Sequence, residues 1–214
     1  TRQATLPPQT RSRVALGMTA GAAVGRFELQ VCEECGTVQY PAREACRRCL
    51  SDRLVWREQD GEGELISETV SHAAQELYYR ERLPWRFGMV RLAAGPTVVA
   101  HVHADCAAPP AAVRVTAALD KGGQAVLVAV PRDAMANIND DPQLKEMTCD
   151  PKGRKILVTD GKSRTGQAVV RAFAAAGAEL IWVGCAEPWK RPPGFDSLSE
   201  LPQVDIVPLD VTDS

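Results

Sequence analysis

The chain has 214 residues, a formal net charge of −2 and a 45% share of hydrophobic residues. That length suits one ordinary domain or two small ones, and the balanced charge excludes a general attraction to nucleic acid or anionic membranes. No apolar run approaches the roughly 20 residues that a membrane-spanning helix needs. We therefore expect a soluble, cytoplasmic protein that has no membrane partner.

The first 26 residues carry few structural signals, and we predict an irregular N-terminal arm over residues 1–26. The chain does not begin with Met, which is typical of a fragment of a longer protein. Short strands are then predicted over residues 27–31, 37–40 and 54–56. They surround two pairs of cysteines, and together they predict a small zinc ribbon over residues 27–57.

The cysteines that define this ribbon are Cys32, Cys35, Cys46 and Cys49, spaced as C-x-x-C, ten residues, C-x-x-C. Each pair can form a tight turn that offers two thiolates, and two such pairs complete a tetrahedral shell around zinc. Gly36 follows the first pair, where the turn favours a positive φ. Four protein ligands leave no open position, so the spacing predicts a structural metal site rather than a catalytic one.

Two alternatives use the same cysteines. Disulfides would suit a secreted chain, but the cysteine count is seven, an odd number, and the start of the chain does not resemble a secretion signal. These features indicate a reducing compartment. A rubredoxin-like iron site would take the same four thiolates as zinc.

Residues 58–135 change to an alternating pattern with regularly spaced turns, which indicates short strands. Five strands with no long helix predict a Greek-key barrel of the OB type. The predicted strands are residues 64–71, 86–92, 97–103, 113–117 and 125–130. OB barrels often bind single-stranded nucleic acid through aromatic side chains in a basic groove. These strands have few aromatic residues and no lysine cluster, so we expect no nucleic-acid partner.

Several barrel residues are candidates for chemistry. His101, His103 and Asp105 alternate along a strand and share one face, which could form a metal site or an acid–base pair. The plainer interpretation is an outer barrel face that meets solvent or a partner. Cys106 lies beside them, but nothing in the sequence predicts the lowered pKa of a nucleophile.

Two other groups invite a binding interpretation. Trp85 and Phe87 could anchor an interface, although barrel core is the simpler expectation. Arg47 and Arg48 lie between the cysteine pairs and could meet a phosphate, although a solvated turn is the simpler expectation.

Residues 136–152 are polar and contain two Asp-Pro steps, which predicts a linker. After the linker the pattern changes again. An apolar strand over residues 155–159, a helix over 167–176 and further apolar strands at 179–183 and 206–209 predict the start of a parallel α/β sheet in residues 153–214. The whole chain is therefore predicted to be multi-domain, with a zinc ribbon and an all-β OB barrel followed by a partial α/β Rossmann-like unit.

The ribbon and barrel resemble the DUF35 family, whose members combine a rubredoxin-like zinc ribbon with an OB-fold. The resemblance lies in Cys32-Glu33-Glu34-Cys35-Gly36, Tyr40-Pro41-Ala42-Arg43 and Cys46-Arg47-Arg48-Cys49, followed by the glycine-led start of the barrel at residues 61–65. Arg47 stands where the family usually has proline. The resemblance implies a partner of thiolase-fold enzymes that act on acyl-CoA, including aldolases of steroid side-chain breakdown.

Residues 153–214 resemble the first quarter of a short-chain dehydrogenase. The matching segments are residues 155–159 and 160–166, with Leu209-Asp210-Val211-Thr212 further on. The resemblance implies NAD(P) as a cofactor and Gly161, Gly166 and Asp210 as residues that hold it. Asp160 and Arg164 replace the first two glycines of the family's phosphate turn, and this departure predicts weak binding.

The same resemblance implies a catalytic Tyr-x-x-x-Lys pair, which the sequence lacks, because no tyrosine has a lysine four residues later. The chain therefore has no predicted catalytic residues. The leading hypothesis is an accessory subunit in a hetero-oligomer with a thiolase-fold thiolase or aldolase, helping to shape the site for its acyl-CoA thioester. The alternative is an NAD(P)-dependent 3-hydroxyacyl-CoA dehydrogenase that is complete only in a longer chain and docks through its DUF35 part.

Overall fold

The computed structural model describes residues 5–10, 12–133, 137–187 and 189–210. The chain forms two compact units, Thr1–Asp150 and Pro151–Ser214. None of the helices in the described ranges combines the length and the apolar character that crossing a bilayer requires.

The N-terminal unit begins with a helix that the sequence did not predict. Helix α1 covers Leu16–Ala23 and follows a single 3-10 turn at Arg13–Ala15. It contacts the ribbon and the barrel, and it buries Gly21 and Ala22. The predicted irregular arm is wrong here because a helix of small residues with no side-chain cap at either end shows none of the usual sequence signals.

Three antiparallel strands form the predicted ribbon. They are β1 (Glu28–Cys32), β2 (Val38–Gln39) and β3 (Leu54–Glu58), with β1 between the other two. Gly36 lies at φ +68° in the turn between β1 and β2, as predicted. The ribbon prediction is confirmed.

The predicted five-stranded barrel is also present. Its strands are β4 (Glu62–Ser71), β5 (Trp85–Leu92), β6 (Thr97–Val102), β7 (Ala111–Leu119) and β8 (Ala125–Pro131). They close in the order β4-β5-β6-β8-β7, with β6 and β8 parallel and the other pairs antiparallel. This is an OB-fold.

The interior of the barrel is apolar and continues into the ribbon. Alternate residues of each strand point inwards, so β6 contributes Val98, Ala100 and Val102. Phe27 and Leu29, from the start of the ribbon, belong to the same buried cluster. The ribbon is therefore attached to the barrel through a shared core.

Part of the outer face of the barrel is covered by two short helices, α2 (Leu77–Arg80) and α3 (Pro142–Met147). Tyr78 of α2 and Leu144 and Met147 of α3 are buried in one cluster with Trp85 and Val128. The sequence predicted a linker over residues 136–152. That prediction is wrong for residues 138–147, which form a 3-10 turn and α3, whereas the boundary between the two units, at Asp150 and Pro151, does fall within the predicted range.

Helix α3 has a local N-terminal capping signal, although the polar composition of the segment suggests a linker. The side chain of Asp141 accepts hydrogen bonds from the backbone N–H groups of Gln143 and Leu144, at 2.9 and 3.1 Å. Pro142 occupies the first turn, where proline is well tolerated. The Asp-Pro step thus starts a helix that buries its apolar side chains on the barrel.

The C-terminal unit is a parallel three-stranded sheet with a helix packed on it. Its elements are β9 (Lys155–Val158), α4 (Arg164–Ala175), β10 (Leu180–Cys185) and β11 (Val204–Pro208), and β10 lies between β9 and β11. A 3-10 segment at Asp196–Glu200 precedes β11. Ile181 and Val183 of β10 are buried with Val170 of α4 and with Phe195.

Candidate metal centre and other candidate sites

The four predicted cysteine ligands converge on one point between the two turns of the ribbon. The sulfur atoms of Cys32, Cys35, Cys46 and Cys49 all lie within 4.8 Å of one another. The Sγ atoms of Cys32 and Cys49 are 3.5 Å apart, and those of Cys35 and Cys46 are 3.6 Å apart. A tetrahedron with zinc–sulfur bonds of about 2.3 Å has edges of about 3.8 Å. The residues present therefore fit a zinc ion bound by four thiolates.

Each cysteine pair is held by the same backbone turn. The N–H of Gly36 donates to the carbonyl of Cys32 at 2.9 Å, and the N–H of Leu50 donates to the carbonyl of Cys46 at 3.0 Å. Leu50 adopts φ +63°, so the second turn carries leucine where the first carries glycine. The left-handed conformation is unfavourable for a residue with a Cβ, so this turn depends on the surrounding ribbon.

The electrostatics of the cluster favour a cation. Hydrogen bonds from the Thr37 side chain and backbone lower the pKa of Cys35 to about 6. Hydrogen bonds from the backbone of Cys49 and Arg48 lower the pKa of Cys46. The backbone of Ser51 also favours the Cys49 thiolate, but burial and the neighbouring sulfurs raise the pKa of Cys49 to about 12. A divalent ion relieves the repulsion that holds this last proton in place.

Two buried glutamines brace the segment between the cysteine pairs, a feature that the sequence analysis missed. Nε2 of Gln39 donates to Oε1 of Gln30 at 3.0 Å. Oε1 of Gln30 accepts from the N–H of Arg43 at 2.8 Å, and Oε1 of Gln39 accepts from the N–H of Arg47 at 3.0 Å. The two glutamine side chains therefore supply hydrogen bonds to backbone groups of the loop between the cysteine pairs, which has no strand partner. The sequence signal that could have predicted this pair is the position of the two glutamines, one on β1 and one on β2, directly opposite each other in the sheet.

The metal centre has a structural role by its chemistry. All four coordination positions are supplied by the chain, which leaves none for a water molecule or a substrate. Arg47 and Arg48 are exposed at the tip of the second turn.

His101, on β6, and His103, one residue beyond that strand, do not form a second metal site. Among the described residues, the four cysteines are the one group of three or more His, Cys, Asp or Glu side chains placed to share an ion. His103 is buried, its Nδ1 accepts from the N–H of Asp105 at 3.2 Å, and its Nε2 lies 3.2 Å from the carbonyl oxygen of Asn137. Both nitrogens thus face backbone groups at hydrogen-bonding distance. The carboxylate of Asp105 lies 3.7 Å from Nδ1 of His103, too far for a hydrogen bond. His101 and His103 do lie on the outer side of the barrel, but both side chains are buried there.

Cys106 and Trp85 have core roles. Burial raises the pKa of Cys106 to about 11, and its S–H donates to the carbonyl of Ala129 at 3.4 Å. The thiol therefore lacks the character of a nucleophile. Trp85 is 1% exposed and belongs to the cluster under α2 and α3. It is therefore buried as expected, but against the outer face of the barrel rather than in the barrel interior.

The structure places Gly161 in the turn from β9 into α4, and Gly166 in the first turn of that helix. A Cβ on Gly166 would overlap the backbone carbonyl of Asp160, and a Cβ on Gly161 would overlap the side chain of Val183. Both glycines thus allow close packing of the turn. Asp210 lies exposed two residues beyond β11. Val211 and Thr212, which contributed to the resemblance, lie outside the described residues.

The residues of this turn do not fit the pyrophosphate of a nicotinamide dinucleotide. At such sites the free N–H groups at the start of the helix bind phosphate. Here the hydroxyl of Ser163 accepts from the N–H of Gly166 at 2.9 Å, and the carboxylate of Asp160 accepts from the N–H of Ser163 at 3.2 Å. These two N–H groups are therefore already bonded to oxygens of the chain, one of them on a carboxylate, and this arrangement argues against an anionic ligand.

Comparison with known proteins assigns the N-terminal unit. A model described as "ChsH2, rubredoxin-like zinc ribbon domain" matches residues 19–55, and one described as "ChsH2, C-terminal OB-fold domain" matches residues 56–129. Neither extends into the C-terminal unit. No curated protein matches the chain.

Two solved structures are similar to part of the chain. One is described as "Ltp2-ChsH2(DUF35) aldolase", with 21% identity, a TM-score of 0.48 and coverage of 56% of this chain and 96% of that one. The other is a DUF35-family protein of unknown function from Sulfolobus solfataricus. It shows 14% identity, a TM-score of 0.37 and coverage of 55% and 86%.

Proposed function

Because residues 19–129 belong to the DUF35 family as its zinc ribbon and OB-fold, we propose that this protein is an accessory subunit of a thiolase-fold enzyme. That enzyme, a thiolase or an aldolase, acts on an acyl-CoA thioester and supplies the catalytic groups. The observation that carries the proposal is the match of both family models, in order and without a gap, to the ribbon and barrel that share one core.

The chemistry of the N-terminal unit supports an accessory role. The metal centre is closed by four cysteines, the nitrogens of His103 face backbone groups, and the Cys106 thiol is buried with a raised pKa. None of these three candidate groups therefore offers an open metal position or an activated nucleophile. A subunit of this kind contributes surface and shape rather than a reacting group.

The outer face of the barrel offers a contact surface for the enzyme. Met89 of β5 and Val99 of β6 are direct cross-strand neighbours, and they are 45% and 53% exposed. Exposed apolar pairs on a rigid sheet are suitable anchors for a protein interface. We place the enzyme against this pair, so that the barrel lies beside the CoA site of its partner.

The C-terminal unit is proposed to be a Rossmann-like segment that resembles a short-chain dehydrogenase. Its parallel strand order, β11-β10-β9 with α4 between β9 and β10 in the chain, supports that likeness. The hydrogen bonds that Asp160 and Ser163 accept within the turn argue against a dinucleotide there. We therefore assign this unit a structural or docking role within the hetero-oligomer.

The proposal is tested by native mass spectrometry of the protein isolated from its own cells with the metal retained. We expect a second subunit of thiolase size in fixed stoichiometry, with acyl-CoA bound to the complex. A free protein that carries a nicotinamide nucleotide would overturn the proposal in favour of a dehydrogenase.

A matched pair of variants locates the interface. The double change Met89→Asp and Val99→Asp puts charges on the proposed contact and should abolish co-purification, while zinc content and folding remain normal. The control is Val24→Asp, which adds a charge at an exposed valine at the end of α1. Equal retention of the partner by both variants would exclude this face.

A further inference from the structure

A cavity of about 260 Å³ opens on the outer face of the barrel, beside the edge of α2. Its wall is formed by the rings of Tyr79, Trp85, Phe87 and His101, and its rim by Ser71 and residues 73–76. We call it the aromatic cavity. Neither the metal centre nor the proposed interface accounts for it.

The strand geometry explains why these rings meet. Phe87 and His101 are direct partners between β5 and β6, and Trp85 is two residues before Phe87 on the same face. The ring centroids of Phe87 and His101 are 4.5 Å apart, and those of Trp85 and His101 are 5.4 Å apart. The wall therefore rests on a rigid sheet, and Trp85 is held further by its Nε1 donating to the carbonyl of Tyr79 at 2.9 Å.

His101 has a polar atom that the protein leaves without a partner. The side chain is 8% exposed, and its Nδ1 is buried without a hydrogen bond. Burial lowers the pKa of His101 to about 4, so the ring is neutral at neutral pH although Asp141 acts in the opposite direction. An unpaired polar atom at such a depth is destabilising, and a hydrogen bond to a suitable ligand would remove that penalty.

The lining determines the charge of the ligand. Glu76 is the one lining residue with a formal charge at neutral pH, and the described residues of the wall include no lysine or arginine. A phosphate or a carboxylate would be buried here without a counter-charge, which is strongly unfavourable. An uncharged ligand fits.

The volume determines its size. A dry apolar cavity of about 150 Å³ is enough for benzene, and a water molecule needs only about 30 Å³. A single water could satisfy the Nδ1 of His101, but it would leave most of the aromatic wall unfilled. A two-ring molecule makes use of both the volume and the flat surfaces.

We propose that the aromatic cavity binds an uncharged two-ring aromatic molecule whose single hydroxyl or N–H group forms a hydrogen bond with Nδ1 of His101. The site lies on the outer face of β5 and β6, beside the proposed contact pair Met89 and Val99. It gives the barrel a small-molecule site of its own.

The test compares 2-naphthol with naphthalene, which has the same rings without the hydroxyl, by isothermal titration calorimetry on the full chain. We expect saturable binding of 2-naphthol at least about fivefold tighter than that of naphthalene, the difference that one hydrogen bond makes. The ¹⁵N resonance of His101 Nδ1 should shift with 2-naphthol and stay in place with naphthalene.

Three variants assign the effect to the cavity. His101→Phe keeps a ring but removes the nitrogen, so it should erase the preference for 2-naphthol. Ala74→Phe fills the cavity from its rim and should abolish binding of both molecules. The control His72→Phe is the same histidine-to-phenylalanine change at an exposed histidine that does not line the cavity, and it should leave binding unchanged.

The design also separates folding from binding. Ala74→Phe lies on the rim rather than in a core cluster, so it tests the site even where His101→Phe fails to fold. The proposal is overturned by no saturable binding of 2-naphthol to the folded wild type. Equal affinities for 2-naphthol and naphthalene, or binding that survives Ala74→Phe, would overturn it as well.

Discussion

Shortening Leu144 to alanine should destabilise the N-terminal unit by about 3–4 kcal/mol. Leu144 is 2% exposed and belongs to the cluster that α3 forms on the outer barrel face. The change removes three carbon atoms, which at about 0.8 kcal/mol each gives about 2.4 kcal/mol of lost burial. The remaining cavity adds a further term, and the sum falls within the range of about 2–5 kcal/mol that such changes produce.

Thermal unfolding followed by circular dichroism measures this effect. A unit of 150 residues loses about 3 °C of melting temperature per kcal/mol, so we expect a decrease of about 10 °C. Leu77→Ala is the matched control, because Leu77 lies in the other covering helix but is 47% exposed. The control should lower the melting temperature by no more than a few degrees.

The comparison distinguishes a covering helix from a linker. If residues 142–147 only connected two units, both substitutions would have the same small effect. Equal melting temperatures for Leu144→Ala and Leu77→Ala would therefore refute the reasoning.

Three further predictions concern the metal, pH and nucleotide. Cys32→Ser should remove the bound metal, measured as about one zinc ion per chain by elemental analysis, and should destabilise the barrel together with the ribbon. The control Cys149→Ser, at an exposed cysteine outside the cluster, should retain the metal. A barrel that melts normally without metal would contradict this prediction. Since the pKa of His101 falls from 6.5 to about 4 on folding, the unfolded chain binds the extra proton within that window, and stability should decrease as the pH falls through it. His101→Phe should make this decrease shallower, as measured by urea unfolding at several pH values, and an unchanged slope would exclude the assignment. Titration with NADH should show no saturable binding, and micromolar affinity would contradict this interpretation of the turn at Asp160.

The parts of the fold that sequence could predict have local signals. The cysteine spacing fixes the metal turns because each pair needs only a few residues, and Gly36 marks the positive φ of the first turn. The barrel strands follow from alternation and regular turns, since the inward residues of a strand are every second one. The centre of the N-terminal unit was therefore predictable without any tertiary information.

The parts that sequence could not predict depend on distant contacts. Helix α1 is built of small residues without caps, and α3 has only six residues, too few to display a helical period. Leu50 adopts the conformation of a glycine because the ribbon holds it there. His101 lies on an outer face, and only residues far along the chain reveal that this face is covered.

The covering of that face has a consequence for the nascent chain. Tyr78 and Trp85 emerge from the ribosome well before Leu144 and Met147, which complete the buried cluster around them. Until synthesis passes Met147, the barrel presents an uncovered patch of aromatic side chains, the kind of surface that chaperones recognise and that drives aggregation. Synthesis of α3 is thus the step after which the growing chain can bury this aromatic patch and no longer exposes it to aggregation.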